Sequence, residues 1–281
     1  MKIITRPAAM FKAVMAVKAK GKSVGFVPTM GALHEGHLSL IRRARKDNDI
    51  VVVSIFVNPA QFAPGEDLKK YPRPVSQDIA LCRKAGVDFI FSPSPKDIYP
   101  EGFKTYVSVD GLDRVLCGKS RPGHFRGVAT VVAKLLNIVW PDVIYLGQKD
   151  AQQAVIIKRM VEDLNFPASI RIMPTVREKS GLALSSRNVY LNIKEKEDAL
   201  VLSKSLNLAS LLIKGGLRDA GRLTKRIREL ISKKKSAKVD YIAIVNADDL
   251  EPLNKIKGSC LIALAVRIGK TRLIDNVLVK I

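Results

Sequence analysis

The plainest pattern along the chain is the apolar run Ile50-Val51-Val52-Val53-Ser54-Ile55-Phe56-Val57, broken only by one serine. A segment apolar at nearly every position, rich in β-branched residues and only strand length, reads as a strand buried on both faces, as in a parallel sheet. Shorter runs of the same kind lie at residues 23–27, 87–91, 142–146 and 170–173, with an extended stretch at 105–109. Between them the apolar period changes to that of a helix: Leu38, Leu40, Ile41 and Ala44 after the first run, then residues 77–85, 128–139 and a pattern running from 147–153 toward Leu164. Residues 7–20 read as a further amphipathic helix. Strand and helix alternating at this spacing predict an α/β domain with a parallel, doubly wound sheet.

After Val176 the texture changes. Ser180-Gly181-Leu182-Ala183-Leu184-Ser185-Ser186-Arg187-Asn188 is small, polar and expected to be flexible. Beyond it lie two helical patterns, 194–213 and 219–233, and three short strands at 239–245, 259–267 and 271–276. The expected division is a large domain at 1–176 and a small α+β domain at 177–281, with the polar loop as hinge.

Composition narrows the class. The chain has 281 residues, 47% of them hydrophobic, enough to bury a full core. No apolar segment approaches a membrane span, and Lys12 and Lys18 interrupt what would be the apolar part of a signal peptide. Cys82, Cys117 and Cys260 are scattered without metal or disulfide spacing, which points to a reducing cytoplasmic location. The net charge of +22 is the one bulk feature pointing to nucleic acid. Much of that excess falls on the helical stretch 194–238, including Lys233-Lys234-Lys235, with no interleaved aromatic residues. A solvated basic face is the better reading, with no specific nucleic acid and no membrane as partner.

Candidate chemistry clusters at the carboxyl ends of the expected strands, where open α/β sheets bind ligands. The first cluster is Met30-Gly31-Ala32-Leu33-His34-Glu35-Gly36-His37. Its glycines permit close backbone approach, a helix start offers N–H groups to an anion, and two histidines one turn apart could donate to a phosphate. The competing readings are a paired metal site, weakened because His-Glu-Gly-His lacks zincin spacing, and ordinary surface histidines. The second cluster is Asn58 and Gln61 after the long strand, placed for a substrate or else a simple turn. A proline-containing loop around Pro64, Pro72 and Pro74 follows, expected to lie over the site. Arg121-Pro122-Gly123-His124-Phe125-Arg126-Gly127 offers two arginines to an anion, with a structural role for His124 equally open. Gly147-Gln148-Lys149-Asp150-Ala151-Gln152-Gln153 brings a point charge for phosphate at Lys149 and an amide one turn in at Gln153. Gly21-Lys22-Ser23, Gly118-Lys119-Ser120 and Gly269-Lys270-Thr271 resemble the end of a P-loop but lack its leading glycine.

Taken in order, PTMGALHEGH, FVNPAQF, RPGHFRGV, GQKDAQQ and LSSRN resemble the pantoate–β-alanine ligases of the HxGH nucleotidyltransferase superfamily, along essentially the whole chain. The resemblance implies a Rossmann-type N-terminal domain, a C-terminal lid, a homodimer and Mg-ATP (ATP with Mg2+) as co-substrate. It implies ATP contacts at Met30 through His37, with His37 as proton donor and His34 beside it, and at Gly147, Gln148, Lys149, Asp150, Val176, Leu184, Ser185, Ser186 and Arg187. Lys149 joins the histidines as a catalytic group. Gln61, Gln153 and Asn58 would hold pantoate, and Gln61 also β-alanine. Ser180 stands where many members have Asp and Leu184 where many have Met, departures that activity is expected to survive. The implied reaction joins pantoate to β-alanine through an acyl adenylate. The alternatives are another nucleotidyltransferase of the same sheet type and a non-catalytic RNA-binding protein.

Overall fold

The apolar runs become strands. The computed structural model describes residues 1–281, with strands β1 (Lys2–Ile4), β2 (Val24–Thr29), β3 (Ile50–Ile55), β4 (Phe89–Phe91), β5 (Val143–Gly147), β6 (Ser169–Met173), β7 (Ala237–Asn246), β8 (Ser259–Ile268) and β9 (Thr271–Lys280). The helices are α1 (Pro7–Lys18), α2 (Glu35–Asp47), α3 (Val75–Lys84), α4 (Pro95–Ile98), α5 (Cys117–Ser120), α6 (His124–Val139), α7 (Ala151–Asp163), α8 (Ile193–Lys214) and α9 (Ala220–Ser232). None is long and apolar enough to cross a membrane. Contacts divide the chain into two units: residues 1–114, 118–147 and 156–174 form the first, and residues 115–117, 148–155 and 175–281 the second.

The first unit is built on a six-stranded sheet in the order β1-β4-β3-β2-β5-β6, with every neighbouring pair parallel. Val27, Val51, Val53, Ile55 and Ile90 pack on Leu38, Ile41 and Ala44 of α2 and Cys82 of α3. Phe26, Val52 and Phe91, pointing the other way, have no exposed surface either, so both faces are covered and the unbroken apolar run is explained. The chain steps outward from β2 to β3 and β4, then returns to lay β5 on the other flank of β2. Binding sites in such sheets lie beyond the strand ends at this reversal. The reversal falls between β2 and β5, where Gly25 pairs with Val143 and Phe26 with Ile144.

The second unit has a three-stranded antiparallel sheet, β7-β8-β9. Cys260, Ile262, Leu264 and Val266, alternate residues of β8, pack against Leu202 and Leu206 of α8 and Leu223 and Ile227 of α9. Asn192 and Glu195 form a reciprocal cap at the start of α8, and Asp219 caps α9. The fold class is the one expected: a doubly wound parallel sheet with a smaller α+β part.

Several local expectations change. β1 and the short α4 and α5 carry too few residues to show a period, and none was expected. Residues 105–109 form no strand; the Val107 N–H instead donates to the Thr130 hydroxyl at 3.0 Å. Helix α6 begins at His124, inside the expected loop, because Gly123 with φ +80° makes the left-handed turn that precedes it. The strands of the second unit are ten residues long, and β9 runs past its polar pair Asp275-Asn276 through Val277, Leu278 and Val279.

Candidate active site

The candidate residues fall into two groups, one per unit. In the first unit, β2 ends at Thr29, whose hydroxyl donates to the Ser54 carbonyl at 2.6 Å and accepts from the Gly31 N–H at 3.1 Å. The turn that follows is left-handed at Gly31 (φ +81°) and at Ala32 (φ +51°). The N–H groups of Ala32 and Leu33 in this turn donate to the Asp78 carboxylate at 2.9 and 2.8 Å. Asp78 is 1% exposed. Burial pushes its pKa up, and the two backbone hydrogen bonds only partly oppose that.

Helix α2 opens with its histidines in the roles of a capping box. His34 is the N-cap; its Nδ1 accepts from the Gly36 N–H at 3.1 Å, while the His34 N–H donates to Nδ1 of His37 at 3.3 Å. With Nδ1 accepting in both rings, the neutral imidazoles carry their protons on Nε2. The ring centroids lie 4.1 Å apart. Gly36 makes this possible, since a Cβ there would sit 2.8 Å from His34 Cε1. Glu35 is exposed and paired with Arg42.

Beyond β3, Asn58 is 1% exposed and engaged all round. Its Nδ2 donates to Gln61 Oε1 and the Gly127 carbonyl, both at 3.0 Å, and its Oδ1 accepts from Tyr99 at 2.7 Å. Asn58 thus orients Gln61, whose Nε2 reaches Met30 Sδ at 3.1 Å. The expected anion loop does the same from the other side. Arg121 grips Glu66 through two 2.7 Å bonds and donates to His124 Nε2 at 3.0 Å, and His124 Nδ1 donates to the Gln61 carbonyl at 2.8 Å. Burial pushes Glu66 up, but Arg121 outweighs it and the carboxyl sits below its usual value. Arg121 is therefore partnered, the proline-containing loop is fastened at Glu66, and His124 bridges Arg121 and the Gln61 carbonyl. Arg126 lies over the Tyr106 ring at 4.5 Å. A Cβ on Gly127 would come within 2.2 Å of the Ala60 carbonyl oxygen. Gly127→Ala is expected to destabilise the protein by about 1–3 kcal/mol through overpacking; an unchanged urea midpoint would contradict this close approach.

In the second unit, Gln148-Lys149-Asp150 form a tight turn before α7. Lys149 Nζ is 3.5 Å from Asp150 Oδ1. Gln152, next to the half-buried Gln153, is buried and clasps a distant segment: Oε1 accepts from the Cys117 N–H and Nε2 donates to the Val115 carbonyl. The expected hinge loop is also tied down. Leu184 donates its N–H to the Val176 carbonyl, Glu178 donates to Leu182, and Asn188 donates to the Ala183 carbonyl. Ser185 caps the turn that holds Ser186 and Arg187, accepting from the Arg187 N–H at 3.2 Å. Leu184 meets its neighbours through backbone, and Ser180 is exposed with its hydroxyl toward Glu178.

A family model described as pantoate–β-alanine ligase matches residues 2–278. This chain belongs to the pantoate–β-alanine ligase family. The pantothenate synthetase of Moorella thermoacetica is 54% identical over 281 residues, 100% of this chain and 99% of that protein. That of Acetivibrio thermocellus is 56% identical over 264 residues, 94% of each. The solved pantothenate synthetase of Thermus thermophilus gives a TM-score of 0.93 at 44% identity, covering 99% of both chains. The pantoate–β-alanine ligase of Francisella tularensis, solved in complex with β-γ ATP and β-alanine, gives a TM-score of 0.81 at 40% identity, over 99% of this chain and 97% of that one.

Against the motifs of the pantoate–β-alanine ligases, the sequence reading missed the residues that support them: Asp78, Tyr99, Gln152, Asp275 and Asn276. A signal existed for the last two. A polar pair inside the apolar strand Leu273–Val279 has to find partners once buried.

Proposed function

We propose that this chain uses ATP to condense pantoate with β-alanine, releasing AMP and pyrophosphate. The observation that carries this reading is the family match over residues 2–278 together with a histidine-capped helix start directly beyond the central strand. Pantoate carboxylate attacks the α-phosphorus and expels pyrophosphate; the β-alanine amine then attacks the acyl carbon of the adenylate and expels AMP. No protein nucleophile is required. The protein's part is to orient the reactants and neutralise charge developing on phosphate.

Each residue is assigned the part its chemistry suits. His37 and His34 donate from Nε2 to phosphate oxygens, the tautomer that their Nδ1 contacts favour. Lys149 supplies a point charge and Arg187 a planar fork for the triphosphate. Met30, Gly31, Glu35, Gly36, Gly147, Gln148, Asp150, Val176, Leu184, Ser185 and Ser186 complete the nucleotide contacts. For Ala32 and Leu33 the assignment narrows to side chain and carbonyl, because Asp78 takes their N–H groups. Gln61 and Gln153 hold pantoate by their amides, with Gln61 also meeting β-alanine; Asn58 acts through Gln61. Mg2+ enters with the nucleotide as Mg-ATP. Such an ion would be held mainly by phosphate oxygens with one or two carboxylates such as Asp150. Residues 177–281 serve as the nucleotide-gripping lid, the assembly is a homodimer and the location is the cytoplasm, all three carried from the family. The exposed cations Arg222, Lys225, Arg226 and Arg228 on α9 have no aromatic residue among them, which supports a solvated face rather than a nucleic-acid site.

Isotope exchange between pyrophosphate and ATP tests the reading. Exchange is expected with pantoate and Mg-ATP alone, since adenylation is reversible without the amine, and none with β-alanine alone. A response only to a phosphorylated acceptor would identify a different nucleotidyltransferase.

A further inference from the structure

From Leu273 to Val279 strand β9 is apolar except at Asp275 and Asn276, which are 2% and 5% exposed. Two adjacent buried polar side chains are costly in a strand unless fully partnered, and an apolar pair would pack at least as well. What they hold is therefore informative. Nδ2 of Asn276 donates to the carbonyl oxygens of Gln148 and Lys149, both at 2.9 Å, and its Oδ1 accepts from Gln148 Nε2 at 2.9 Å. Those two carbonyls belong to the peptide planes on either side of the Lys149 Cα. Pinning both planes to one amide group fixes φ and ψ of Lys149, and hence the direction in which its side chain leaves the backbone. Asp275, one residue away, holds Arg177 through bonds of 2.6 and 2.9 Å. Arg177 opens the backbone-paired segment that leads to Ser185 and Arg187.

We infer that Asn276 is a positioning residue for adenylation that aims Lys149 through its two flanking peptide planes. Asp275 anchors the arginine segment to the same strand, so Lys149 and Arg187 belong to one body. The inference rests on the assignment of Lys149 to the phosphates made above.

A double-mutant cycle tests it, read by pyrophosphate–ATP exchange with pantoate and Mg-ATP, with thermal melting followed in parallel. Asn276→Ala is expected to lower the exchange kcat about tenfold, with KM for pantoate unchanged. In a Lys149→Ala background the same substitution should change kcat by less than about twofold, because the residue it acts through is gone. Equal losses in both backgrounds would mean a general structural role and overturn the inference, as would a single variant at the wild-type rate. A Lys149→Ala enzyme with normal exchange would instead overturn the phosphate assignment, which keeps the two failures distinct. If Asn276→Ala does not fold, Asn276→Asp serves, since it keeps the size and the acceptor but loses both donors. It should match the loss predicted for alanine, and wild-type exchange in that variant would refute the aiming role.

Discussion

Replacing His37 with alanine is expected to slow adenylate formation by about two to three powers of ten, the loss typical of removing one preorganised donor from a developing charge. The same ring supplies Nδ1 as acceptor for the His34 N–H, so the substitution also removes half of a helix cap, worth about 1 kcal/mol. Rapid-quench measurement of adenylate, with a denaturant titration of the same preparation, separates the two losses. The kinetic loss should far exceed what a loosened helix end explains. A rate within about threefold of wild type would remove this histidine from the chemistry.

Asp78→Ala is expected to cost about 1–3 kcal/mol of stability, because the N–H groups of Ala32 and Leu33 lose their acceptor in a turn that also holds Ala32 at φ +51°. Asp78→Asn, which keeps an acceptor and cannot ionise, adds a pH test. Burial raises the Asp78 pKa in the folded chain above its ordinary value. An acid raised in the folded state binds its proton more tightly there than when unfolded. Its contribution is therefore complete below the ordinary aspartate value and is lost as pH rises through the raised one. The asparagine variant has no such loss. Its deficit against wild type should be smaller at neutral pH than at the acid end of that window, in urea titrations at matched ionic strength. A deficit that grows toward neutral pH would show that Asp78 is stabilised, not penalised, as a carboxylate.

The sheet was legible because burial on both faces leaves an unmistakable mark: Ile50–Val57 is apolar at nearly every step, and only a covered parallel strand tolerates that. The histidine turn was legible through its glycines and its place after a strand. The supporting residues were not. Asp78 is one acid in the first turn of a helix, a common arrangement at any helix start, and nothing local says that it reaches back 45 residues to Leu33. At 121–127, arginine and histidine between glycines suit an external anion, and nothing local says that Arg121 pairs with Glu66, 55 residues away. Segments expected to be flexible, such as 180–188, proved fastened because backbone pairing leaves little trace in composition. Long-range polar contacts between single side chains have no periodicity, so a sequence pattern does not reveal them.

At the start of α2 the cap uses Nδ1 of both histidine rings, whereas the proposed phosphate contacts use Nε2, so the two functions should be separable by substitution. Serine at position 34 with glutamate at position 37 is the ordinary reciprocal cap of protein helices and would close this helix equally well while presenting no imidazole to the nucleotide. His34→Ser/His37→Glu should therefore fold like the original yet lose its hold on the nucleotide, because the donors proposed for phosphate are gone and a carboxylate stands in their place.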